Sequence, residues 1–110
     1  MRIGGEIMSK KEKLASVEEC LARSDEIMIN KRPSLLQRVN AGIILGQAFR
    51  KEPNNPQVLV RLAKVHYDNP EACLPYIKRL AGLPNSSENK KYIDAGKKCL
   101  QMMKDDNLIN

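Results

Sequence analysis

Ala41, Ala48 and the pair Pro53-Asn54 recur 31 positions later as Ala72, Arg79 and Pro84-Asn85, with Leu45 and Phe49 returning as Tyr76 and Leu80. A small residue early in a helix admits a neighbouring helix, and Pro-Asn just past the helix end enforces a turn. A chain that repeats this spacing is constrained to successive helical hairpins. No segment shows convincing period-two alternation of apolar and polar residues, so strands do not compete. The expected fold is all-α.

Helical spacing predicts about five antiparallel helices. The first runs from about Ser9 to Met28, with Leu14, Val17, Leu21 and Ile27/Met28 on one face. Asn30-Lys-Arg-Pro33 ends it, because proline disfavours the helical region for the residue before it. The second opens at Pro33-Ser34 and continues through Arg50. Its apolar stripe is wide, which predicts packing on more than one side, and Gly42 and Gly46 within it predict close approach by a neighbour to offset their helix cost. The third has Asn55 as N-cap and Pro56 at its first position, and ends near Tyr67. Asp68-Asn-Pro-Glu71 is a further cap signature and opens the fourth, in which Pro75 marks either a kink or the true start. Gly82-Leu-Pro-Asn85 closes that helix. The fifth, capped by Ser86 or Ser87, runs to about Met103 with Tyr92, Ala95/Gly96, Cys99 and Met102/Met103 as its stripe. With one Phe, three Tyr and no Trp, the core must be aliphatic. Length favours one helical domain over 9–103, between a lead-in at 1–8 and a frayed tail at 104–110.

At these residues the chain resembles the tetratricopeptide repeat family, whose units of about 34 residues pair two antiparallel helices and stack into a right-handed superhelix. Ala41, Ala48 and Pro53 match the family's small, small and proline positions in the second helix of a unit. Ala72 and Pro84 match in the next unit, where Arg79 departs from the small residue. Leu62-Ala63 stand where the family has Leu-Gly, and His66 where it usually has an aromatic. The family's Trp is absent, and the turn at 68–70 is shortened. An irregular helical bundle with Pro-Asn turns would bury the same residues and is the alternative architecture.

The resemblance implies a concave groove lined by the first helix of each unit. Carried over residue by residue, its partner-binding positions are Gln57, Val60, Arg61, Lys64 and Tyr67. Arg61 and Lys64 share a helix face. Together they would grip a carboxylate or phosphate, Arg by a bidentate fork and Lys as a point charge. The implied function is a non-enzymatic adaptor or chaperone-like module that holds a peptide or amphipathic helix of another protein, an acidic segment being one candidate.

The residues themselves offer little for catalysis. His66 is the single histidine, without carboxylates as natural helix neighbours. No glycine-rich phosphate loop appears, and Gly4-Gly5 is isolated. Glu18-Glu19 and Asp25-Glu26 read as a solvated face, and Asp105-Asp106 lacks the spacing of a calcium loop. Cys20, Cys73 and Cys99 form no CxxC pair, which argues against a zinc or redox motif. No catalytic residue, metal ligand or cofactor is expected. The formal charge of +6 concentrates in 32–66, where Arg32, Arg38, Arg50, Lys51, Arg61 and Lys64 face Glu52 alone. That cationic middle supports nucleic-acid binding as the rival reading, although no aromatic residues interleave with the cations. The apolar side of the fifth helix, at Cys99 and Met102/Met103, is a candidate for self-association. Scattered free thiols, no apolar run near ~20 residues and no secretion signal in residues 1–8 lead to the expectation of a cytoplasmic protein without a membrane span.

Overall fold

The computed structural model describes residues 16–30 and 32–109. Among them are five α-helices and no strand: α1 (Val17–Ile27), α2 (Leu35–Lys51), α3 (Pro56–Val65), α4 (Pro70–Ala81) and α5 (Ser87–Asp105). The all-α expectation holds, with shifts at the helix ends.

Each start has a local chemical cause. Ser16 accepts from the Glu19 amide while the Glu19 carboxylate accepts from the Ser16 amide, a reciprocal cap that starts α1 at Val17. The expected earlier turns, from Ser9, fall on residues outside those described. Ser34 and Gln37 repeat the device on α2. Asn55 caps α3 by accepting from the Gln57 and Val58 amides ahead of Pro56. Helix α4 begins at Pro70, so Pro75 lies in its interior rather than at its start. The Asp68–Asn69 signature does not work as a side-chain cap. Asn69 occupies the cap position without a side-chain hydrogen bond, and the Asp68 carboxylate is engaged by Arg38. Ser86 caps α5, which runs two residues beyond the expected end, to Asp105.

Consecutive helices pack on one another, and α3 also packs along α5, an order consistent with either stacked hairpins or a bundle. The core is aliphatic as composition requires. Leu45, Leu59, Leu62, Leu80, Val58 and Met103 are fully buried, each side chain contributing about 1.5–3 kcal/mol by leaving water. Ala41 and Ala48 are fully buried where α2 meets its neighbours. Ala63 is small enough for α4 to come close, and the Cys73 thiol donates to the Ala63 carbonyl at 3.2 Å.

Three core clusters are distinguishable, and Tyr76 packs against all of them. Its ring meets Phe49 edge-on at 5.5 Å and stacks on His66 at 5.9 Å. Arg79, standing where the repeat pattern wants a small residue, reaches back instead. It lies over the Phe49 ring at 5.4 Å and donates to Asn54 at 3.0 Å, fastening α4 to the turn between α2 and α3.

The glycine expectation for α2 is corrected. A Cβ on Gly42 would meet Val65 and His66 at ordinary contact distances of 3.6 Å and beyond, and one on Gly46 would meet nothing within 4 Å. The close approach belongs to Gly96 on α5, where a Cβ would stand 3.1 Å from Leu80 Cδ1.

Candidate functional site

Helix α3 lies between α1 and α5, and a chain of clefts follows its open side. At one end, a cleft of about 770 Å³ takes in Gln57, the 52–56 turn and Tyr92. The next, of about 440 Å³, is lined by Asp25 and Met28 from α1 and its C-terminal end, Val60, Arg61 and Lys64 from α3, and Tyr92. The last, of about 730 Å³, has Met28, Lys64, Tyr67, Cys99 and Met102 among its lining. Tyr92 is shared by the first two clefts, and Met28 and Lys64 by the second and third. All five residues expected to bind a partner, Gln57, Val60, Arg61, Lys64 and Tyr67, therefore open onto one continuous run.

Helix periodicity produces this alignment. Gln57, Val60, Arg61 and Lys64 recur at three- and four-residue intervals and stay on one face of α3. Tyr92, Ala95, Cys99 and Met102 do the same on α5 and form the facing wall. These α5 residues were legible as an amphipathic stripe, but spacing alone cannot say that half of such a stripe borders a groove.

The electrostatics differ from the expected two-cation grip. Arg61 is already engaged: its Nε and Nη2 donate to the two carboxylate oxygens of Asp25 at 2.8 and 2.9 Å, and Nη1 donates to the Gln57 carbonyl at 3.0 Å. Hydrogen bonding from Arg61 holds the Asp25 carboxyl below its ordinary range, and the same bond pushes the Arg61 guanidinium up. Both partners keep considerable solvent exposure, so the pair orients Arg61 more than it stabilises the fold. Lys64, exposed at the junction of two clefts, has no hydrogen-bonded acid among the described residues. It is free to meet a ligand, as are Arg32 and Lys98 on the third cleft.

Tyr67 is also committed. Its hydroxyl donates to the Asp106 carboxylate, and that bond pushes its pKa up to about 12. It thereby fastens the third cleft to the end of α5. At the far side of that cleft, Arg38 Nη1 donates to both Asp68 oxygens, at 2.6 and 2.5 Å, and holds Asp68 below the usual carboxylate range. Arg38 and Arg61, both counted in the basic 32–66 segment, are thus paired with acids.

His66 is half-buried on Tyr76, and burial pushes its pKa down. Among the described residues no group of three His, Cys, Asp or Glu side chains could hold a metal ion, and no helix is long and apolar enough to cross a membrane. Helix α5 is less open than expected: Met103 is fully buried, whereas Met102 remains 47% exposed and Cys99 half-buried at the groove. Compared with known proteins, the chain significantly matches no family model, no curated protein and no solved structure.

Proposed function

We propose that the protein is a non-enzymatic interaction module, adaptor-like or chaperone-like, that holds a peptide or helix of another protein along α3 in the manner of a tetratricopeptide-like stack. The observation that carries this reading is the continuous run of clefts joining Gln57, Val60, Arg61, Lys64 and Tyr67. The apolar contributions of Val60, Met28, Cys99 and Met102 offer sockets for side chains, and Lys64 favours a partner with a carboxylate between them. Arg61, anchored by Asp25, presents a fixed rather than a searching guanidinium. Buried free thiols at Cys20 and Cys73 suit a reducing, cytoplasmic setting.

Native co-purification with mass spectrometry, run in parallel on the wild type and on Lys64→Glu, tests this function. A protein retained by the wild type and lost with Lys64→Glu, at unchanged helical circular dichroism, is the expected result. An identical set of retained proteins for both, or recovery of nucleic acid alone, would refute the assignment.

A further inference from the structure

Among the described residues, a run of exposed apolar side chains lies along α2. Leu35 is 71% exposed, Leu36 68%, Val39 48% and Ile43 59%, although α2 already packs on α1 and α3. Leu36, Val39, Ile43, Gly46 and Arg50 alternate three and four residues apart, the spacing of a seam that receives another helix. Gly46 has open space where a side chain would stand, leaving a hole in the middle of that seam. Leu35 and Val39 also border a cleft of about 210 Å³ shared with Val65 and His66. Contiguous exposed apolar surface of this kind marks an interaction site.

Charge decides what covers it. Helix α2 contains Arg38, Arg50 and Lys51 and no acid. Arg38 is neutralised by Asp68, while Arg50 stands on the seam itself, after Ile43 and Gly46. A second copy fits badly. Paired in parallel and in register, Arg50 would face Arg50 of the other copy. Paired antiparallel so that Leu36 fills the hole at Gly46, Arg50 would lie beyond the first turn of the other copy's α2, a helix with no acid to meet it. A lipid surface has no use for a knob-and-hole spacing.

We propose that the outer face of α2 docks an amphipathic helix of another protein, one with an apolar seam at three- and four-residue spacing and an acidic residue placed to meet Arg50. This surface meets the third cleft at Arg38 and Asp68, but its seam at Leu36, Val39 and Ile43 lies on α2 and does not depend on Lys64.

The probe is a synthetic amphipathic peptide of about three heptads with Leu and Ile on its seam and Glu on its flanks, followed by fluorescence anisotropy with the full chain. A second peptide with the same seam and Lys flanks is the control. The acidic peptide should bind the wild type; Ile43→Glu should weaken it roughly tenfold or more, as for a central interface residue, with circular dichroism unchanged. Val39→Glu provides the same test should Ile43→Glu misfold. Arg50→Glu should reverse the preference toward the Lys-flanked peptide, and Lys64→Glu should leave binding unaltered. Equal binding of the two peptides would overturn the charge assignment. Binding of neither would overturn the docking site. Association only with phosphatidylserine vesicles, or self-association in sedimentation that Ile43→Glu abolishes, would overturn the choice of partner.

Discussion

Gly46 and Gly96 form a matched experiment within one protein. Both sit inside long helices, α2 and α5, and replacing either with Ala should gain about 1 kcal/mol of helix propensity. Only the surroundings differ. At Gly46 the new methyl meets nothing within 4 Å, so the gain is kept. At Gly96 it would stand 3.1 Å from Leu80 Cδ1 and 3.5 Å from Leu80 Cβ. Leu80 is fully exposure-free and held beside Leu59 and Val60, so it has little room to yield. Overpacking of a filled core costs about 1–3 kcal/mol, which offsets the propensity gain and leaves Gly96→Ala between neutral and about 2 kcal/mol destabilised. Urea unfolding followed by circular dichroism should therefore separate the two variants by about 1–3 kcal/mol, the spread coming entirely from the packing cost. Equal stabilisation of both would show that α4 and α5 are not in contact at Leu80. A loss at Gly46 would show that the outer face of α2 is covered.

Two further outcomes follow from titrating groups. Burial lowers the folded pKa of His66 below its ordinary 6.5, so the unfolded chain takes up the proton first. His66 therefore adds stability that is fully present above about pH 6.5 and is lost as pH falls toward the folded value. The urea midpoint should drop between about pH 7.5 and pH 5.5, and His66→Gln should flatten that drop. Asp25 and Asp68 titrate below 3.8 and do not interfere. Burial also pushes the Cys73 thiol up to about 12, leaving little thiolate. A disulfide reagent should label Cys99 first in the native protein and reach Cys20 and Cys73 only on unfolding. Fast native labelling of Cys73 would contradict the packing of α4 on Ala63.

The helices and much of the groove are legible because they rest on local rules. Ser34, Asn55 and Ser86 act as caps through bonds to residues two or three positions away, and Gln57, Val60, Arg61 and Lys64 share a face of α3 by periodicity. The α1 start is less plain, since apolar spacing runs on through Leu14 while the Ser16–Glu19 reciprocal cap sets the boundary. Non-local pairing is where reading the chain stops. Arg61 and Asp25 are 36 positions apart, and no local pattern tells that this arginine is occupied while Lys64 is not. Asp68 looks like a cap until Arg38, 30 positions earlier, takes its carboxylate. The wide stripe of α2 correctly implies contact on more than one side, but periodicity cannot reveal that Leu36, Val39 and Ile43 lie on a third.

Tyr76 touches all three core clusters, and this bears on how the molecule comes apart. Stacked helical hairpins ordinarily melt as a row of nearly independent neighbours, with the ends opening first. Here one ring on α4 joins Phe49 of α2 to His66 beyond α3, so no hairpin can open without uncovering its neighbours' apolar surface. The protein should lose structure in one concerted transition, and Tyr76→Ala should broaden it into steps.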